Sequence, residues 1–175
     1  MRSELDTLLW RGYLQKKIKH LEELREIVAG LKQQGKTVVF TNGCFDIIHV
    51  GHVRLLQEAK TFGDVLIVAL NSDASVRTLK GADRPFVSEK QRSEVVAALE
   101  MVDYVVIFNE PDPLRIITEL TPQVLVKGGD WTIDTIIGRA VVEQAGGKVI
   151  PLRFIDGVSS TTIIQRILNT HTQAK

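Results

Sequence analysis

Short apolar runs alternate with amphipathic stretches along this chain, and that rhythm restricts the fold more than any other feature. Thr37–Phe40, Val65–Leu70, Tyr104–Phe108, Val124–Val126 and Val149–Ile150 read as strands. The uniform hydrophobicity of Val65–Leu70 suits a strand covered on both faces. Between the runs, Lys19–Gln34 places Leu21, Leu24, Ile27, Val28 and Leu31 on one helical face, with Gly35 as its stop. Further helices are expected over Gly51–Thr61, from Ser88, after Pro113, over Thr132–Ala145 and from Ser159 onward. Strands alternating with helices predict an α/β fold, a Rossmann-like doubly wound sheet of about five parallel strands with flanking helices. Ligands of such sheets bind beyond the carboxyl ends of the strands, where the unusual segments of this sequence fall.

The length of 175 residues suits one ordinary domain. Lys and Arg number 22 against 21 Asp and Glu, a balance that argues against a chain devoted to coating nucleic acid. Val65–Leu70 is too short to span a bilayer, and the start shows no apolar run before a cleavage site. With Cys44 its single cysteine, the chain has no internal disulfide, and a cytoplasmic location is expected. Residues 1–18 read as an N-terminal arm and 19–175 as the domain. Leu5, Leu8, Leu9, Trp10 and Tyr13 give the arm an apolar surface expected to dock on the domain or on a second copy, so a homodimer is expected.

Four segments carry chemistry. His49-Val50-Gly51-His52 follows the first strand where a helix begins. Two histidines three apart share a side of that helix, and the glycine between them lets a ligand approach the backbone. The helix N-terminus adds free N–H groups and a positive dipole end, which favour a phosphate. A metal site at this pair would have to recruit carboxylates, because His20 and His171 lie near the chain ends. The basic segment with Arg77, Lys80, Arg84, Lys90 and Arg92 is suited to gather round a triphosphate. Lys127-Gly128-Gly129-Asp130-Trp131 combines close backbone approach with a ring for stacking. Val158-Ser159-Ser160-Thr161-Thr162 offers more hydroxyls at a helix start than one cap requires, a second phosphate cradle. Neither a G-x-G-x-x-G nor a G-x-x-x-x-G-K-[ST] fingerprint follows the first strand, which weakens dehydrogenase and P-loop kinase readings.

Gly43 through His52, with Val158 through Ile163, resembles the cytidylyltransferase-like nucleotidyltransferases, which carry an HxGH motif after the first strand and an ISSTxI-type motif at the last helix. Phe40–Asp46, Lys80–Pro85 and Val124–Trp131 make the chain look most like the heptose 1-phosphate adenylyltransferases of lipopolysaccharide core synthesis. The resemblance implies transfer of an adenylyl group from ATP to D-glycero-D-manno-heptose 1-phosphate, with Mg2+. It implies that His49, His52 and Lys80 are catalytic. It further implies that Thr41, Asn42, Gly43, Cys44, Phe45, Gly51, Lys127, Gly129, Asp130, Trp131 and Val158 to Thr162 (Ser159, Ser160 and Thr161 between) bind nucleotide, and that Asp46, Arg84 and Arg92 bind the sugar phosphate. The metal ligands are not assigned by it. Many relatives are fused to a sugar kinase; 175 residues leave no room for one, so heptose 1-phosphate is expected to come from a separate polypeptide. A CTP- or GTP-dependent enzyme for another sugar or polyol phosphate is the alternative enzyme reading. A nucleotide sensor without turnover is the alternative of a different class.

Overall fold

The computed structural model describes residue 12, residues 14–153 and residues 157–172. Strands β1 (Val38–Gly43), β2 (Val65–Asn71), β3 (Tyr104–Phe108), β4 (Val124–Gly128) and β5 (Lys148–Leu152) form one sheet in the order β3-β2-β1-β4-β5. Every neighbouring pair is parallel. Parallel neighbours need crossover connections, and the helices that supply them cover both faces. Helix α1 (Leu21–Gln33) precedes β1, the crossovers are α2 (Val50–Lys60), α3 (Asp73–Lys80), α4 (Glu89–Ala97), α5 (Leu114–Leu120) and α6 (Arg139–Gln144), and α7 (Ser160–Thr172) follows β5. The expected architecture is the observed one.

Alternation along the strands divides the core in two. Val38, Phe40, Ile67, Ala69, Val106 and Leu125 face one side, against Leu24 and Val28 of α1, Ile116, Ile117 and Leu120 of α5, and Val142 of α6. Val39, Leu66, Val68, Leu70, Val105 and Val126 face the other, against Leu56 and Ala59 of α2 and Val96 and Ala97 of α4. Both walls of the central strands are therefore dry, which holds the carboxyl ends of β1, β2 and β4 as a rigid platform.

Two elements differ from the sequence reading. Helix α3, eight residues long, occupies a stretch where the sequence reading expects no helix. Its start is set by Ser72, whose Oγ accepts from the Ser75 N–H at 3.2 Å. The helix expected over Thr132–Ala145 is divided into a 3-10 turn, Ile133–Thr135, and α6. Gly138 separates them with φ of +90°, and a Cβ there would lie 2.6 Å from Cδ1 of Ile117. Close packing on α5 thus demands glycine and a left-handed backbone where a continuous helix would need neither.

At the sheet edge, Ile18 makes a parallel bridge with Val105, and the Lys19 N–H donates to the Val105 carbonyl at 2.9 Å. Lys17 Nζ donates to the Val102 carbonyl at 2.7 Å. Leu14 and Ile18 pack on the second core. The other apolar residues of the arm, Leu5, Leu8, Leu9, Trp10 and Tyr13, lie outside the described residues. Among the described residues, no helix is long and apolar enough to cross a membrane.

Leu125 sits in β4 beside the central strand and is 1% exposed. Leu125→Ala is expected to cost about 2–5 kcal/mol, the range for opening a cavity in a dry core. Urea denaturation of the two proteins measures it, and a loss below that range would mean the core collapses around the site.

Candidate active site

Strands β1 and β4 pair only from Val39–Val124 to Thr41–Val126, whereas β1 stays paired with β2 as far as Gly43–Leu70. Because the chain reverses direction across the sheet at this junction, the loops that follow β1 and β4 leave toward opposite faces and open a cleft. The cleft is a cavity of about 450 Å³ lined by Asn42, Gly43, Cys44, Phe45, Asp46, His52, Lys80, Lys127, Trp131 and Ser160. Segments distant in sequence thus meet at one place. Gly128 of the Lys127–Trp131 segment lines it too, as do Leu55, Asn71, Leu79, Pro111, Asp112, Pro113 and Ile137, which the motif reading missed. The Pro111-Asp112-Pro113 turn could have been found only from its position directly after β3, at the carboxyl edge of the sheet.

The two histidines form one unit at the start of α2. Their rings stack with centroids 3.8 Å apart. The His49 N–H donates to His52 Nδ1 at 3.4 Å, which makes Nδ1 an acceptor and puts the proton of a neutral ring on Nε2. His52 is also in ring contact with Phe45, at 4.9 Å between centroids. Burial, followed by the charges of His49 and Lys80, pushes the His52 pKa down to about 4, so the ring is neutral at pH 7. Burial lowers the His49 pKa as well, and its Nδ1 is buried without a hydrogen-bond partner. Gly51 is needed here for space: a Cβ would come within 3.0 Å of His49 Cε1 and Nδ1 and displace the ring.

Cationic and hydroxyl groups face this pair. Lys80, at the end of α3, is exposed on the cavity wall. Lys127 Nζ donates to Asn42 Oδ1 at 3.2 Å and lies 5.6 Å from the Trp131 ring centroid; burial holds its pKa below the usual lysine value. Trp131 is 46% exposed, which leaves a ring face open to the cavity mouth. Ser159 caps α7 by accepting from the Thr162 N–H at 3.0 Å. Ser160 Oγ donates to the Ile47 carbonyl at 3.2 Å, tying the start of α7 to the loop before α2. Two helix N-termini and two lysines therefore surround one cleft, a field that attracts anions. Val158, Ser159, Thr161, Thr162, Gly129 and Asp130 do not line it, and neither do His49 and Gly51. Among the described residues, no group of three or more His, Cys, Asp or Glu is arranged to hold a metal.

Several expected contact residues are committed elsewhere. Thr41 is fully buried within β1 and does not line the cavity. Asp46 is 3% exposed and its carboxylate is spent inside the protein: Arg84 Nε donates to Oδ2 at 2.7 Å, and the Phe86 and Val87 N–H groups donate to Oδ1 at 2.8 and 2.9 Å. The Asp46–Arg84 pair thereby pins the loop after α3 rather than presenting free charge. Arg92, expected at the substrate, is 1% exposed, and its guanidinium donates to the Val87, Cys44 and Asn71 carbonyls and to Asp73 Oδ1. A buried guanidinium has to find such acceptors, and here they are the protein's own. Phe45 takes a left-handed φ of +47°, at a cost of about 1–2 kcal/mol for a residue with a Cβ.

The lowered His52 pKa makes stability depend on pH. The unfolded chain binds the proton first as pH falls, so this contribution is whole above about pH 6.5 and is lost on the way down to about 4. The loss is on the order of 3 kcal/mol. Chemical denaturation at pH 7 and 4.5 should show a larger drop for the wild type than for His52→Gln. Equal drops, or a ring titrating near its free value by NMR, would contradict the burial argument.

Comparison with known proteins agrees with this fold. A structure of the lipopolysaccharide core biosynthesis protein from Thermoplasma volcanium superposes with a TM-score of 0.57 at 28% identity, covering 69% of this chain and 98% of that one. The pantoate-beta-alanine ligase of Francisella tularensis shares the fold, with a TM-score of 0.59 at 16% identity over 82% of this chain and 74% of that one. In sequence, the chain is 58% identical over 151 residues to the bifunctional protein HldE of Geotalea uraniireducens, covering 86% of this chain and 31% of that protein. The HldE of Geobacter sulfurreducens is 54% identical over 155 residues, 89% of this chain and 32% of that protein. The chain thus spans about a third of the length of these curated relatives. Residues 40–166, which hold β1 from Phe40 onward, both histidines of the cleft, both its lysines and the start of α7, match the cytidylyltransferase-like family, and the chain belongs to that family.

Proposed function

We propose that this chain is a nucleotidyltransferase that converts ATP and D-glycero-D-manno-heptose 1-phosphate into ADP-heptose and pyrophosphate, a cytoplasmic step in making the heptose precursor of the lipopolysaccharide core. The observation that carries the reading is a neutral His52 on the wall of a cavity that Lys80, Lys127 and two helix N-termini make attractive to anions. The similarity to the HldE proteins and to the lipopolysaccharide core biosynthesis protein supports the choice of substrates.

The sugar phosphate brings its own nucleophile. One of its oxygens attacks the α-phosphorus of ATP, the new O–P bond forms, and the bond from the α-phosphorus to the bridging oxygen breaks, so the electron pair leaves on pyrophosphate. The difficulty is electrostatic: two polyanions must approach, and charge grows on the leaving group. His52 Nε2–H and the Lys80 ammonium answer it by donating to phosphate oxygens from fixed positions. His49 holds the His52 ring through its stack and its N–H. The Ser159–Thr162 turn receives the departing phosphates, and Trp131 stacks near the nucleoside. Mg2+, when bound, neutralises phosphate oxygens; with no protein cage for it among the described residues, the triphosphate itself would supply most of its ligands.

His52→Ala is expected to lower kcat by roughly 100-fold or more, the scale of one preorganised donor, with His49→Ala close behind. Near-normal turnover in both purified variants would remove the histidines from the reaction. The function is tested by a turnover screen of ATP, CTP and GTP against heptose 1-phosphate anomers and other sugar and polyol phosphates. ADP-heptose as the preferred product is the expected result. Preference for CTP or GTP with another phosphate would replace the substrate assignment, and no pyrophosphate above the enzyme-free control would leave a sensor instead. A homodimer belongs to the same proposal: light scattering should give twice the chain mass, and a monomer mass would refute it.

A further inference from the structure

We propose that Arg92 is a positioning residue that aims a backbone donor at the phosphates without touching them; this rests on the phosphate-transfer reading above. Arg92 Nη1 donates to the Cys44 carbonyl at 2.5 Å, and Nη2 donates to the Asn71 carbonyl and to Asp73 Oδ1, both at 2.8 Å. Nε donates to the Val87 carbonyl at 2.9 Å. The guanidinium is therefore seated on the end of β2, the first residue of α3 and the end of the loop that follows α3, and it draws the Cys44 carbonyl inward from the cavity floor.

The consequence follows from peptide geometry. The carbonyl of Cys44 and the N–H of Phe45 belong to one planar trans unit and point in opposite directions. With the carbonyl held toward buried Arg92, the Phe45 N–H is turned outward, at a position where both residues line the cavity. Phe45 is the residue with φ of +47°, a conformation that needs outside support to persist. Its ring is anchored on the cavity side of the same turn, in contact with His52. Arg92 from below and the ring contact with His52 from above hold one peptide in one orientation. Lysine cannot replace this arrangement, because an ammonium lacks the planar fork that reaches several carbonyls at once.

The single cysteine makes that peptide addressable. Protein labelled with carbonyl 13C in cysteine and amide 15N in phenylalanine gives one correlated signal, from Cys44–Phe45, because no other Cys–Phe bond exists in the chain. In the wild type, inorganic pyrophosphate should move the Phe45 amide signal downfield, together with the His52 ring signals. Arg92→Lys should shift the Cys44 carbonyl signal even without ligand, abolish the amide response, and lower kcat on the order of 100-fold at little changed KM. If the His52 ring responds to pyrophosphate while the Phe45 amide does not, the positioning role is wrong and the phosphate site stands. If neither responds, both fail. If Arg92→Lys is folded and keeps wild-type kcat and amide response, the proposal is overturned. The wild-type titration decides the matter even where the variant does not fold.

Discussion

The site depends on one constraint: β1 lies between two parallel neighbours and loses one of them earlier than the other. Pairing with β4 ends at Thr41–Val126, while pairing with β2 runs on to Gly43–Leu70. The residues between those two ends have backbone groups on one side that no strand satisfies, and that is where ligands of open parallel sheets find donors and acceptors. Asn42 uses its side chain there to receive Lys127. The turn that follows is held by Arg92 from inside, and α2 then starts with the histidine pair. Each later feature of the cleft inherits its place from that early divergence.

Electrostatics explains why a buried, uncharged histidine suits such a place. A cleft with Lys80, Lys127 and two helix N-termini already attracts anions, and a third full charge beside them would be costly to bury. A neutral imidazole with its acceptor nitrogen occupied supplies a donor without that penalty. The same logic accounts for the internal spending of Asp46. A free carboxylate on the cavity floor would repel phosphate, whereas one satisfied by Arg84 and two backbone N–H groups shapes the loop beyond α3 at no cost in local field.

Much of this was legible before any coordinates. Strand order apart, the alternation of apolar runs and amphipathic stretches was enough for the doubly wound sheet. The histidine pair and the serine–threonine turn stood out because a helix N-terminus is a local feature whose chemistry follows from neighbours in sequence. The inward commitment of the Arg92 guanidinium and of the Asp46 carboxylate is not legible in the sequence, because a charged residue tells nothing of its partners: the Cys44 carbonyl lies 48 residues from Arg92, and Arg84 lies 38 from Asp46. Helix α3 escaped notice because it is short and mostly polar on its outer face. The break at Gly138 was hidden for a related reason: only packing against Ile117 makes that glycine obligatory.

The stacked imidazoles carry one more consequence. With the rings stacked 3.8 Å apart and the charge of His49 counting against a proton on His52, the two imidazoles are not independent acid–base groups. Removing His49 withdraws the ring stacked on His52, and removing His52 leaves the His49 N–H without its acceptor. Energetic effects within such a unit do not sum, so losing both rings costs little beyond losing the first. The pair acts as one unit, and neither ring alone does half of its work.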